Sequence, residues 1–310
     1  MFQLYKKRNF GDYISDTFLF LKVHGKHFFK NYFILNGGLL LLLTVLFYFI
    51  FKIYFEALFT RLNSNDPSFF ENYFNNNIAL VVTVFIVCFL LFIFLALLNF
   101  AYPTLYLSLL DKHQSTQFTI KDCLHIFKEK AFKIIIFFFT LLLLSFTVGI
   151  FIAAIVAALF FIVIGIPLLF ILVPTLIAIV NVSFYIYMNN NIGVFQAFGQ
   201  GIQYVKQNLL AISGSTLVIY IIIQVASTVF TMIPYLFGFI NLVTTVEKSP
   251  ETINAFGIIM IIVLCVGFIG TMILNNLLFI NSGLIYYSGK EQNENIFESS
   301  TIDQIGQHHE

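Results

Sequence analysis

Few groups in this sequence could do chemistry, and their types and spacing point away from catalysis. The 310 residues include six His and three Cys. Metal or oxygen chemistry needs these ligands in clusters. His24, His27, His113, His125, His308 and His309 form no H-x-x-x-H pair. His24 and His27, three apart on a helix, are expected to face lipid headgroups. Cys88 and Cys265 fall in apolar runs and Cys123 in a basic segment, with no C-x-x-C. No zinc, redox or other cofactor site is implied. There is no G-x-S-x-G, P-loop or G-x-G-x-x-G either, so the chain is expected not to be an enzyme.

What remains is a set of neutral polar residues inside apolar runs. Gln224, Ser227, Thr228 and Thr231 stand at i, i+3, i+4 and i+7, one stripe of a helix. Gly267, Gly270, Thr271, Asn275 and Asn276 lie on the following apolar run, and Asn99 and Asn181 on two others. One reading is a polar groove for a headgroup or small solute. The other is interhelical hydrogen bonding with glycines allowing close approach, which is common between membrane helices. Ionisable residues at depth are the usual pointers to transport or pumping. None falls centrally in a span, which argues against proton-coupled transport and voltage sensing. Carbonyls and hydroxyls can still coordinate a solute.

The elements that position these residues follow from composition. The chain is 59% hydrophobic and 10% charged, with mean hydropathy +0.93, against roughly 25% charged in a soluble domain. Net charge is +1, which indicates no nucleic-acid partner. A bilayer core takes about 20 apolar residues per helix. Spans are expected at about 32–55, 78–110, 133–160, 166–188, 209–239 and 252–287. The uncharged run 134–205 is too long for one crossing and is divided near Gly165–Pro167. Ser249, Pro250 and Glu251 read as N-cap, first-turn proline and first-turn acid of the sixth span. The first span is expected to act as an uncleaved signal anchor.

Orientation follows from the basic residues. Of 16 lysines and arginines, only Lys52, Arg61 and Lys248 fall outside if the N-terminus is inside. Both termini are therefore expected in the cytoplasm of a bacterium, with the chain in the inner membrane. The polar segment 61–77 is expected as an outer loop, and 291–310 as a flexible acidic cytoplasmic tail. Tyr102, Tyr106, Tyr185, Tyr187, Tyr286 and Tyr287 read as interfacial aromatics.

Before the first, third and fifth spans lie amphipathic segments, at about 9–30, 119–132 and 192–207. In the first, Phe10, Ile14, Phe18 and Leu21 share one face, and Asp12, Asp16, Lys22, Lys26 and Lys30 another. In the second, Ile120, Leu124 and Phe127 oppose Lys121, His125 and Lys128, with Thr119 and Asp122 as a capping box. In the third, Phe198, Ile202 and Val205 oppose glutamines. Each runs apolar, three residues, apolar, two residues, apolar, then Lys: Lys22, Lys128 and Lys206. The expected fold is an all-α polytopic membrane protein of three hairpins, each preceded by an interfacial helix on the cytoplasmic leaflet. Lys22, Lys26, Lys30, Lys121, Lys128 and Lys206 would contact lipid headgroups.

The segments ISDTFLFLKVHGKHFFKNYF and VFQAFGQGIQYVKQNLL, with the proline-bearing span GIPLLFILVP, resemble bacterial six-helix membrane proteins of the YciC type. They also resemble the membrane domain attached to some glycerophosphodiester phosphodiesterases. The resemblance spans most of the chain and implies the six-helix plan. It does not extend to a hydrolase domain, so it implies no hydrolysis. Two functions remain open: a scaffold or accessory subunit of a membrane complex, with lipids and a membrane protein as partners, or a lipid-handling or small-solute transport protein.

Overall fold

The computed structural model describes residues 2–64, 68–160, 165–244 and 250–296, without side-chain surroundings for 53–77 and for most of 230–260. Seven helices account for them: α1 Phe10–Ser64, α2 Ser68–His113, α3 Ile120–Phe160, α4 Gly165–Asn189, α5 Val194–Gln207, α6 Leu209–Thr244 and α7 Pro250–Glu294. Six are long and apolar enough to cross a membrane, all but α5. The chain is an all-helical membrane protein with the expected three hairpins, α1–α2, α3–α4 and α6–α7.

Several boundaries differ from expectation. The first two amphipathic segments are not separate helices, because α1 and α3 run unbroken from them into the spans. Only α5 stands alone, parted from α6 at Asn208, where φ is −142° and ψ 47°. The expected loop 61–77 is helical up to Ser64 and from Ser68, and 65–67 lie outside the described residues. So do Ser249, preceding the start of α7 at Pro250, and most of the tail. Residues 291–294 of that tail are the last turn of α7, with Glu291 buried.

The described residues form two compact units. Unit one gathers Met1–Leu35, Phe100–Ile222 and Asn276–Glu310; unit two gathers Asn36–Asn99 and Ile223–Asn275. In unit two, Phe268 packs edge-on against Phe47, with centroids 5.1 Å apart, and lies 6.3 Å from Phe92. Thr44 and Thr83 return their hydroxyls to carbonyls four residues back in their own helices, which satisfies a hydroxyl where no water is present.

Unit one is built around the returning helices α2, α4 and α7. Residues 101–107, 181–188 and 280–289 are buried on every side. Tyrosines tie them and α1 together by donating to backbone carbonyls of neighbouring helices: Tyr102 to Phe28 (2.6 Å), Tyr287 to Leu107 (3.2 Å) and Tyr185 to Phe279 (3.0 Å). Such approach needs a small residue. A Cβ on Gly283 would overlap Leu107 and stand 2.7 Å from the Tyr185 hydroxyl. Lys130 and Lys133 donate to the Met188 and Asn190 carbonyls, and so close the C-terminus of α4 with cations.

The repeat read from the lysine spacing has a counterpart in packing. Aligned on Lys22, Lys128 and Lys206, the three leading segments bury the same positions. Five residues before the lysine stand Thr17, Cys123 and Gly201; six after it, Phe28, Ile134 and Ile212; nine after it, Asn31, Phe137 and Ser215. Each begins with the same device, a backbone N–H taken by a side chain three residues on: Asn9 by Asp12, Thr119 by Asp122 and Gly193 by Gln196. The small residue in each segment meets the returning helix of the hairpin before it, in cyclic order. Thr17 accepts from Asn281 of α7. Cys123 lies beside Tyr102 and Tyr106 of α2. Gly201 packs on Ser183 of α4.

Gly283→Leu is therefore expected to lower the thermal midpoint in detergent, at a cost of about 1–3 kcal/mol for overpacking. Gly149→Ala, where a Cβ meets open space, is expected to leave it unchanged or raise it.

Candidate functional site

The chemistry-bearing residues of unit one gather where residues 2–9 fold over the ends of α1, α2 and α7. Arg8 is only 2% exposed. Its Nε donates to Asp16 at 2.9 Å, and its remaining nitrogens to the carbonyls of Gln3, Leu4 and Lys6. The Arg8 backbone N–H donates to Ser288, which also accepts from the Tyr13 hydroxyl. Asn281, two turns before Ser288 on α7, donates to the Tyr13 carbonyl and to Thr17. Lys6 reaches Asp12 at 2.8 Å and Asp16 at 3.3 Å.

The Lys6–Asp12 hydrogen bond favours the charged forms of both groups. Burial pulls the Arg8 guanidinium down, and Asp16 opposes this; a guanidinium stays protonated regardless. The hydrogen bond to Asp12 holds the Lys6 ammonium above its usual range. Burial, with Asp111 next to it, pushes the Tyr5 phenol well above its ordinary value. Tyr5 thus stays a donor to Asp111 at 2.9 Å, while Lys290 sits over its ring. Close by in chain order, His27 Nε2 lies 3.1 Å from the Phe118 carbonyl and Nδ1 2.8 Å from the Tyr106 hydroxyl. A carbonyl only accepts, so Nε2 carries a proton directed at Phe118.

The sequence carries this network only in fragments. Spacing places Asp16 on the polar face with the lysines, yet it turns inward to Arg8 while Lys22, Lys26 and Lys30 stay exposed. His27 binds protein groups rather than headgroups. Tyr102, Tyr106, Tyr185, Tyr286 and Tyr287, and to a lesser degree Tyr187, are core residues, not an interfacial belt. Cys123 is buried in the same core. The sequence signal for the network was the Asn9–Asp12 spacing, which marks a helix start and fixes where the arginine before it must fold.

The neutral polar candidates divide between the two units. In unit one, Asn181 donates to Ser282 at 3.2 Å, and Asn276 is hydrogen-bonded to Tyr32. In unit two, Thr271 donates to its own helix at Gly267 and lies 3.5 Å from Ser227, and Asn99 points to Met272. Asn275 is half-buried, while Gln224 and Thr228 are exposed on α6. The Thr231 side chain lies outside the described residues. The stripe therefore does not act as one face: Ser227 turns inward, Gln224 and Thr228 outward. Lys121, Lys128 and Lys206 are exposed and, like Lys22, Lys26 and Lys30, make no ion pair among the described residues. Among those residues no group of three His, Cys, Asp or Glu could hold a metal ion.

No protein-family model, curated protein or solved structure matches this chain.

Removing one member of a buried ion pair strands the other, typically at about 3–5 kcal/mol. Arg8→Ala is expected to destabilise at or below the low end of that range, because Lys6 remains beside Asp16. The double variant Arg8→Leu/Asp16→Leu is expected to recover most of the loss in thermal melts. Additive losses would show that the two residues do not act as a pair.

Proposed function

We propose that this protein is a non-enzymatic integral component of a bacterial inner membrane, acting as a scaffold or accessory subunit for another membrane protein. The observation that supports this is the exposed lysine at one register of each leading segment: Lys22, Lys128 and Lys206 are exposed and make no ion pair among the described residues. Three basic faces carried by the repeat suit an acidic surface of a membrane-protein partner. Asn181, Asn276 and Asn281 are bonded within unit one, which supports a structural role for them. The lysine bias supports an orientation with Lys22, Lys128 and Lys206 at the cytoplasmic surface. The suggested kinship with the YciC-type proteins agrees with this plan and assigns no activity.

Extraction in native-lipid nanodiscs followed by mass spectrometry is expected to recover a stoichiometric protein partner. The triple variant Lys22→Gln/Lys128→Gln/Lys206→Gln is expected to reduce its recovery about fivefold, from three exposed charge pairs at about 0.3 kcal/mol each. Recovery of one enriched lipid with no protein partner would overturn the reading in favour of lipid handling.

A further inference from the structure

We infer that α5 carries a binding site for the phosphate-bearing headgroup of an anionic glycerophospholipid, an inference that goes beyond the accessory-subunit reading and does not depend on it. A groove of about 460 Å³ runs along this helix, lined by Gly199, Ile202, Gln203, Lys206 and Gln207. α5 has no acidic residue, and Lys206 makes no ion pair among the described residues. The groove therefore holds an uncompensated ammonium flanked by two amides. Gln207 is positioned by donating to Asn293 at 3.1 Å, which leaves its carbonyl and remaining proton available. Ammonium and amide donors around an open space suit an anion with several acceptor oxygens.

Gly199 marks this groove as distinct from its two counterparts. Seven residues before the shared lysine stand Ser15 in α1, Lys121 in α3 and Gly199 in α5. Only the third has no side chain. Gly201, one residue pair further on, is required by packing against Ser183, but a Cβ on Gly199 would meet nothing within 4 Å. A glycine inside a helix weakens it, and here no neighbouring atom demands one. What the missing side chain provides is the open floor of the groove.

The surroundings favour a lipid over a soluble phosphate. Ile202 forms an apolar wall. Phe195, 73% exposed, and Leu210, 74% exposed, present bare apolar surface at either end of the helix. α5 is the most amphipathic of the described helices, and an amphipathic helix of this kind lies at the boundary between headgroups and acyl chains. A glycerophospholipid can place its phosphate on Lys206 and its chains along Ile202 and Leu210. A soluble phosphate uses only the first contact.

The test uses the full chain in nanodiscs of phosphatidylcholine containing a minority of phosphatidylglycerol, with retained lipid counted by native mass spectrometry after release into detergent. Lys206→Gln is expected to lower retained phosphatidylglycerol about fivefold, the worth of one basic residue at an anionic surface. Gly199→Leu, which fills the floor from a position where a Cβ meets nothing within 4 Å, is expected to match it. Lys206→Arg is expected to retain the lipid, and Lys22→Gln, at the equivalent register outside the groove, to leave it unchanged. Thermal midpoints of the lysine variants should stay at the wild-type value, and that of Gly199→Leu should stay there or rise, since it replaces a helical glycine. Unchanged retention in Lys206→Gln and Gly199→Leu would overturn the site. An equal loss in Lys22→Gln would overturn it too, by showing a diffuse basic belt. Displacement of the lipid by soluble glycerol phosphate at matched concentration would overturn the lipid as source.

Discussion

In hydrocarbon a polar group has only the protein to bond with, and the arrangement of unit one depends on that constraint. Lipid tails are as apolar as leucine, so burying leucine does little to bring membrane helices together; packing and interhelical hydrogen bonds must do it. The tyrosines of the returning helices supply both. Each presents a ring to the core and a hydroxyl to a carbonyl of the next helix, as Tyr102 does at Phe28 and Tyr287 at Leu107. Rings packed at about 5 Å add roughly 0.5–1.5 kcal/mol per pair beyond burial. The close approach these bonds require then dictates a glycine at 283. Burying a charge is costly in any protein interior unless it is paired, which is why Arg8 is buried with Asp16 and three carbonyls in reach.

The threefold repeat is a repeat of backbone and burial rather than of side-chain identity. At the position five residues before the shared lysine, threonine, cysteine and glycine each suit a different neighbour. Thr17 takes a hydrogen bond from Asn281, Cys123 lies against tyrosines, and Gly201 admits the Ser183 backbone. Because each leading segment rests on the returning helix of the preceding hairpin, the arrangement closes on itself within the unit. Among the described residues, the exposed surfaces include the lysine-bearing faces of the leading segments and one face of α6.

Polar residues bonded inside unit one, such as Asn181 and Asn281, hold its helices together. On α6, Ser227 is buried while Gln224 and Thr228 are exposed. That contrast comes from helical geometry, since residues 227 and 228 lie about 100° apart on the helix.

Periodicity and composition alone determined the number of membrane-crossing helices, the proline start of α7, the Thr119–Asp122 start of α3 and the register of the three repeats. These depend on hydrophobic length and local backbone bonding, which are properties of neighbouring residues. Only the tertiary structure decided which faces turn inward. In a soluble protein an apolar stripe marks the core, but here Phe10 and Phe18 stay outside while Tyr13, Asp16, Thr17 and Phe20 are buried. Apolar side chains find lipid as good a solvent as the protein interior, so they carry no information about orientation. The inward face is chosen instead by residues that need a partner, and those partners stand far away in sequence: Thr17 with Asn281, Arg8 with Ser288, His27 with Tyr106.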